Sequence, residues 1–267
     1  MITNPSSSDS LVQVKVHEPA GTIVLNRADR RNALSRALIA DLRQALDYLH
    51  REVRVRAVVL TGSGTAFCAG MDLHEMHATS QGDDPLPQWH SDAVVYRELL
   101  EAMLRFPKPI IAAVNGPAVA SGAGLVLASD LVIGSPESQF GLPEPKRGLV
   151  AGMVSPLLVF RIGGGKAAEL LLTGRMIDAA EAHAAGIYHE LIATDKVWAR
   201  ANEVASECAQ SAPSALQLTK KMLNETIGEH LSTLLSAGAA TSATARTTAA
   251  AAEGVAAFLQ KRPPQWD

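Results

Sequence analysis

The sequence predicts an α/β fold that gives way to an all-helical C-terminal region. In the first part of the chain, short apolar runs bounded by turn residues alternate with segments of helical periodicity, the pattern of strands joined by helices. From about Asp195 the strand signals stop. The tail from Ala237 to Ala252 is almost wholly Ala, Thr, Ser and Gly and leads directly into Gly254-Val255-Ala256-Ala257-Phe258-Leu259. Alanine is the best helix former, so this reads as helix packed closely against something, a neighbouring subunit included. The expected division is 11–194 for the α/β core and 195–267 for the helical region.

Val12-Gln13-Val14-Lys15-Val16 alternates, and Gly21-Thr22-Ile23-Val24-Leu25 follows a Pro-Ala turn, which together predict an opening hairpin. Ser35 to His50 places Leu38, Ile39, Leu42, Ala45, Leu46 and Leu49 on one helical face, with Ser35 as N-cap. Val55 to Leu60 is a short apolar strand that stops at Thr61-Gly62-Ser63-Gly64. The polar, proline-containing stretch from Thr79 to Gln88 reads as a mobile loop, followed by a helix through Leu104. Ile110 to Val114 is a strand turned by Asn115-Gly116, Ala123 to Ala128 starts a helix, and Leu131-Val132-Ile133 is again strand. From Ser155 helices dominate, with one short strand near Ile187 to Ile192.

Bulk properties narrow the functional classes. Hydrophobic residues make up 47% but aromatics only 4%, so the core must come from Ala, Leu, Val and Ile. A net charge of −3 gives no field of the kind nucleic acids attract, though a small anionic ligand needs only a local basic cluster. Two isolated thiols, Cys68 and Cys208, do not make a disulfide framework. The polar start MITNPSSSDS lacks an apolar signal segment, so a frayed N-terminus and a reducing cytoplasm are expected. Ile110 to Ser129 is uncharged over 20 positions, which is spanning length, but its Asn, Gly and Pro residues break it into strand, turn and helix. No membrane insertion is expected.

Two segments carry the functional argument: Thr61 to Leu73, TGSGTAFCAGMDL, and Asn115 to Gly124, NGPAVASGAG. Each follows an apolar strand, is dense in small residues and precedes a helix. Small residues let a ligand approach the backbone. Amides at a helix N-terminus are unsatisfied and point outward. Two such loops facing each other can supply two N–H donors to one developing negative oxygen. On spacing alone, tight turns remain the other reading.

The segments AFCAGMDL, VNGPAVASGAG and SDLVIGSPESQFGLPEPKRGL closely resemble the enoyl-CoA hydratase/isomerase, or crotonase, family. Leu25-Asn26-Arg27 with Asn32-Ala33-Leu34, Leu172-Thr173-Gly174 with Asp178-Ala179, and Phe258 to Arg262 extend the resemblance over residues 11 to 265. It implies a spiral of repeated ββα units with a helical C-terminal trimerisation region, and a homotrimer or dimer of trimers. It implies an acyl-CoA substrate, coenzyme A being part of that substrate, with no metal or redox cofactor. The family's oxyanion amides fall on Met71 and Ser121, where the second position is commonly glycine. Its coenzyme A contacts fall on Arg30 or Arg31, Ala66, Ala69, Asp72 and Leu73. Family hydratases use two glutamates; here one position is Gly124 and the other Glu144. Water addition suits two carboxylates, whereas moving a double bond from the 3 to the 2 position needs one base to take a proton from C2 and return it at C4. The resemblance therefore favours Δ3-Δ2 enoyl-CoA isomerisation, with hydration or non-catalytic acyl-CoA binding as alternatives. An apolar pocket should raise the Glu144 pKa, Leu142, Pro143 and Pro145 being suitable neighbours; an ion pair with Lys146 or Arg147 is the competing reading.

Other motifs fail on spacing. Arg161 to Lys166 lacks the glycine and hydroxyl residue of a P-loop. Gly122-Ala123-Gly124 lacks the third glycine of a dinucleotide fingerprint, Leu127 standing there. Ser121 lacks the preceding glycine of a nucleophile elbow, and His74-Glu75-Met76-His77 has the wrong histidine spacing for a zinc helix. Cys68 reads as a small buried residue.

Overall fold

The computed structural model describes residues 10–228 and 230–266; the expected N-terminal fraying falls on residues 1–9, outside the described residues. The opening hairpin is β1 (Val12–His17) and β2 (Ala20–Leu25), antiparallel, with Val12 opposite Leu25. Helix α1 (Arg36–Arg51) starts at Ser35, whose hydroxyl accepts from the Leu38 N–H, and it buries all six apolar residues of the predicted face. Lys108 Nζ donates to the carbonyls of Leu49 and Glu52 at the other end, a cation placed at the negative pole of the helix.

Next come β3 (Ala57–Gly62), α2 (Leu73–Ser80), α3 (Leu86–Arg105), β4 (Ile110–Val114), β5 (Ala118–Val119), α4 (Ser121–Leu127), β6 (Leu131–Gly134) and β7 (Gln139–Gly141). They are followed by α5 (Val154–Ile162), α6 (Gly164–Thr173), β8 (Met176–Asp178), α7 (Ala179–Ala184), β9 (Glu190–Leu191), α8 (Val197–Ala209), α9 (Pro213–Lys221), α10 (Leu231–Ala245) and α11 (Ala249–Leu259). A π-helical turn, Met222–Ile227, continues α9.

Six strands form one sheet in the order β1-β2-β3-β4-β6-β9, parallel from β2 onward; β5, β7 and β8 form a second, smaller sheet. The units β4–β5–α4 and β6–β7–α5 each place their first strand in the large sheet and the second in the small one. The β3 unit does the same in reduced form, through an isolated bridge from Cys68 to Ala118. The resemblance implies such ββα repetition.

Strand β3 is buried at every position because both faces of the sheet are covered. Val58 and Leu60 face the main core with α1 and α3, while Ala57 and Val59 face Val197, Ala201, Val204 and Ala205 of α8. Alternation of period two thus survives inside a run that is apolar throughout.

Several boundaries differ from expectation. Strand β3 runs two residues further along than predicted, since its pairing with β2 begins at Ala57 and continues to Gly62 opposite Leu25. The mobile loop expected over 79–88 shrinks to five residues, 81–85. Pro87 lies in the first turn of α3, where a missing N–H costs nothing, so the prolines start the helix instead of interrupting it. Strands β5, β7 and β8 were not expected; at two or three residues each they are too short to show a period.

The Ala-rich tail is two helices, not one. Thr248 starts the second, its hydroxyl accepting from the Ala251 N–H. Their small residues serve close packing within the chain: a Cβ on Gly238 would stand 2.2 Å from the Gly152 carbonyl oxygen, and one on Gly254 would lie 2.3 Å from the Arg147 carbonyl. Helix α10 lies against α3 and α5, and α11 against α2 and the turn that carries Glu144. The uncharged stretch from Ile110 to Ser129 resolves into β4, β5 and α4, and no helix among the described residues is long and apolar enough to cross a membrane.

Candidate functional site

Three loops converge on a cavity of about 550 Å³ whose lining includes Met71, Ser121 and Glu144. The first loop is held from behind by Asn32. Its side-chain nitrogen donates to the carbonyls of Ser63, Ala66 and Phe67, at 2.9, 2.9 and 3.2 Å, while its oxygen accepts from the Arg27 N–H. Beyond the loop, the Leu34 N–H donates to the Gly70 carbonyl at 2.8 Å, and the Asp72 N–H to the Leu34 carbonyl at 3.0 Å. With its flanking groups turned toward Leu34, the Met71 N–H points the other way.

The second loop arrives from β5. The Val119 N–H donates to the Cys68 carbonyl at 2.9 Å, which locks the two loops side by side. A Cβ on Gly70 would stand 2.9 Å from Ala120 Cβ and 3.3 Å from the Ser121 nitrogen. Gly70 has φ +92°, so this close approach and this conformation both require glycine. Ala120 has φ 54° and ψ −124°, a conformation that strains any residue with a Cβ. The strain, about 1–3 kcal/mol, is held by the neighbouring bonds and turns Ser121 into the first position of α4. There its N–H has no partner inside the helix. Neither the Met71 nor the Ser121 N–H donates to a carbonyl among the described residues.

Glu144 opens a 3-10 turn and is 7% exposed. Its Oε2 has no hydrogen-bond partner among the described residues. Burial pushes its pKa up to about 7; its own backbone N–H and the nearby Arg147 guanidinium oppose this but do not win. The expected rise is therefore present, and burial is its cause. Arg147 forms no ion pair with Glu144; it stacks on Phe258, 4.6 Å from the ring centre. A carboxyl titrating near neutrality can both take and return a proton.

Position 124 explains how a single carboxylate is accommodated. A Cβ on Gly124 would stand 2.1 Å from the Tyr96 hydroxyl. Tyr96 is buried, lines the cavity and donates to the Ser121 carbonyl at 2.5 Å. Its pKa is raised well above the usual phenol value, first by burial and then by Cys68 and Glu144, so it stays neutral. Nothing in the sequence singles out Tyr96, which lies in the middle of α3 with no motif around it. Gly124 was the one hint, since a cavity left by a missing side chain in a close-packed core must be filled by another.

The residues assigned to coenzyme A divide. Arg30, Arg31, Ala69, Asp72 and Leu73 line the cavity, with the two arginines exposed at its rim beside Lys261. Ala66 does not line it; it is buried, and its carbonyl is committed to Asn32. Asp72 serves structure: it caps α2 by accepting from the His74 and Glu75 N–H groups, and it pairs with Arg27 at 2.6 Å. Asp72→Ala should therefore cost about 2 kcal/mol or more and loosen the Met71 amide; a thermal unfolding curve and the KM for an acyl-CoA measure the two effects. Cys68 is fully buried and its thiol pKa is pushed up to about 12 by burial, the state of an inert thiol. His74 and His77 lie on α2, and among the described residues no three His, Cys, Asp or Glu side chains gather as ligands.

The cavity thus brings together two backbone amides without a carbonyl partner, at Met71 and Ser121, and the buried Glu144 carboxyl, with cations at its rim. Residues 17–267 match the family model described as enoyl-CoA hydratase/isomerase. A putative enoyl-CoA hydratase of Thermus thermophilus is 41% identical over 96% of this chain and all of its own length. The 1,2-epoxyphenylacetyl-CoA isomerase of Escherichia coli is 32% identical, covering 92% of this chain and 94% of its own. A crystal structure of a putative enoyl-CoA hydratase from Mycobacterium avium paratuberculosis superposes with TM-score 0.85 at 30% identity, over 96% of this chain and 99% of that one. The chain belongs to the enoyl-CoA hydratase/isomerase family, has the crotonase fold, and is an acyl-CoA enzyme.

Proposed function

We propose that the protein is a Δ3-Δ2 enoyl-CoA isomerase in which Glu144 is the only proton carrier. The observation that carries this reading is the Gly124–Tyr96 contact. Where a second glutamate would start, a neutral phenol stands instead. The other carboxylates on the cavity lining do not replace it. Asp72 is committed to Arg27 and the α2 cap, and the Asp29 side chain is 79% exposed. In the proposed mechanism the thioester oxygen sits between the Met71 and Ser121 amides. Glu144 removes a proton from C2, the amides stabilise the resulting dienolate, and the same carboxyl returns the proton at C4. Arg30, Arg31 and Lys261 meet the anionic part of coenzyme A.

Hydration of a 2-enoyl-CoA is the second reading, favoured by the name of the Thermus thermophilus relative. Assaying isomerisation of a 3-enoyl-CoA beside hydration of crotonyl-CoA separates the two. Isomerisation should be faster by at least about 10²-fold, the usual worth of one positioned acid or base. Equal rates would overturn the isomerase reading, and no turnover of any acyl-CoA would favour binding alone.

The base must be ionised to act. With the Glu144 pKa near 7, kcat/KM should fall about tenfold for each pH unit below neutrality and level off above it. A stopped-rate pH profile on the free enzyme reads this directly.

Assembly as a homotrimer or dimer of trimers is part of the same reading. Val159, Phe160, Leu172, Leu218 and Leu223 are exposed apolar side chains on α5, α6, α9 and its π-helical extension, and such surface is normally covered. A solution mass of one chain would contradict it.

A further inference from the structure

Arg246 ends α10 one turn beyond Ser242, on the same face. Both are buried, and both line the cavity that holds Glu144. The Arg246 side chain belongs to a residue 7% exposed, yet among the described residues its guanidinium makes no hydrogen bond and no ion pair. Two other arginines shielded from solvent have polar partners. Arg27 is paired with Asp72, and Arg161 donates to the carbonyls of Leu127 and Ser129. Asp92 attracts Arg246, but its two oxygens are taken by Arg36 Nε and Nη2 at 2.7 and 2.8 Å and by Gln88. Arg36 is a further cation that repels Arg246.

A guanidinium does not shed its proton, so this one is a largely buried charge on the cavity wall whose planar fork of donors has no protein partner among the described residues. Such a group is costly to bury unless a ligand completes it. The fork matches a carboxylate with two parallel bonds. Position says which part of a thioester reaches it. The cations at the mouth, Arg30, Arg31 and Lys261, are exposed and suit phosphates that stay in solvent. Arg246 is buried beside Ser242 in the wall of the cavity that also holds Glu144, a place that suits the acyl part better than solvent-exposed phosphates.

We propose that Arg246 is the recognition site for a carboxylate at the distal end of the acyl group, so that the preferred substrates are ω-carboxyacyl-CoA thioesters. The proposal rests on the acyl-CoA reading of the cavity but not on which reaction Glu144 performs. Ser242, on the same helix face, donates its hydroxyl to the Val150 carbonyl at 3.4 Å, which leaves only the acceptor side of that oxygen open.

The test is binding by titration calorimetry of saturated acyl-CoAs, which can be neither isomerised nor hydrated. Succinyl-, glutaryl-, adipyl- and pimeloyl-CoA are each compared with their monomethyl esters on the unmodified protein. For the chain length that reaches Arg246, the free acid should bind about tenfold or more tightly than its ester. Arg246→Met should abolish that difference while leaving butyryl-CoA affinity within about threefold of the original, that being the scale of a lost distant contact. Equal binding of acid and ester at every length overturns the proposal without a variant being needed. An equal loss for butyryl-CoA and the acids in Arg246→Met also overturns it, since Arg246 would then act on the common coenzyme A part or on the fold. Failure of every acyl-CoA to bind would remove the proposal together with the acyl-CoA reading, an outcome distinct from acid and ester binding alike.

Discussion

Glu144→Gln is expected to lower kcat by about 10³-fold, the middle of the range for a positioned acid–base group, with KM changed little because the amides still hold the thioester. The same substitution should stabilise the protein above neutral pH. Folding raises the Glu144 pKa from the ordinary 4.5 to about 7, so the fold favours the protonated carboxyl. That contribution is complete below pH 4.5 and is lost as pH rises through 7. At pH 8 the buried charge costs on the order of 3 kcal/mol, which Gln does not incur. Chemical denaturation at pH 5 and pH 8 should therefore show a gain for Glu144→Gln at the higher pH only. Lower activity with no pH-dependent gain would mean that the carboxyl is not desolvated as described.

Restoring the second glutamate should not make a hydratase. Gly124→Glu, or even Gly124→Ala, drives a Cβ to 2.1 Å from the Tyr96 hydroxyl and 3.1 Å from a Val154 methyl. Overpacking of this kind costs about 1–3 kcal/mol. Relief by moving Tyr96 breaks its bond to the Ser121 carbonyl, which disturbs the residue whose amide is the proposed second oxyanion donor. Gly124→Glu should thus lose isomerisation by about 10²-fold or more without gaining comparable hydration. Tyr96→Phe removes the oxygen that the new Cβ meets. The Gly124→Ala/Tyr96→Phe pair should accordingly be less destabilised than the sum of the single changes, by about 1 kcal/mol or more in a double-mutant cycle. Strict additivity would show that the two side chains do not compete for the same space.

The candidate site was legible in the sequence where the segments that build it are local. Met71 and Ser121 each sit in a run of small residues after a strand, and Glu144 follows Gly141-Leu142-Pro143 in a segment long enough to align by resemblance. Helix α1 was legible because its cap and its apolar face are written in consecutive residues. What the sequence hid was long-range. Tyr96 meets Gly124 across 28 positions, and nothing near either residue announces the other. Arg246 looked like one charge in a bland alanine-rich tail, and only the packing of α10 on α3 and α5 makes it a buried cation. The short strands of the second sheet were hidden for a different reason. Their pairing is decided by where β4 and β6 deliver the chain, not by the two or three residues that form each rung. Asp72 lines the cavity as expected, but its bonds to the α2 cap and to Arg27 were not legible, since the ion pair joins segments 45 residues apart.

In the proposed mechanism two amides and one carboxyl hold and reprotonate a thioester enolate. A crystal structure of the protein with a bound, unreactive acyl-CoA tests it most directly. The thioester oxygen should lie about 2.7–3.1 Å from both the Met71 and Ser121 nitrogens, with a Glu144 oxygen within reach of C2 and C4 on one face of the acyl chain. A thioester oxygen held by other donors, or a Glu144 carboxyl turned away from the chain, would contradict it.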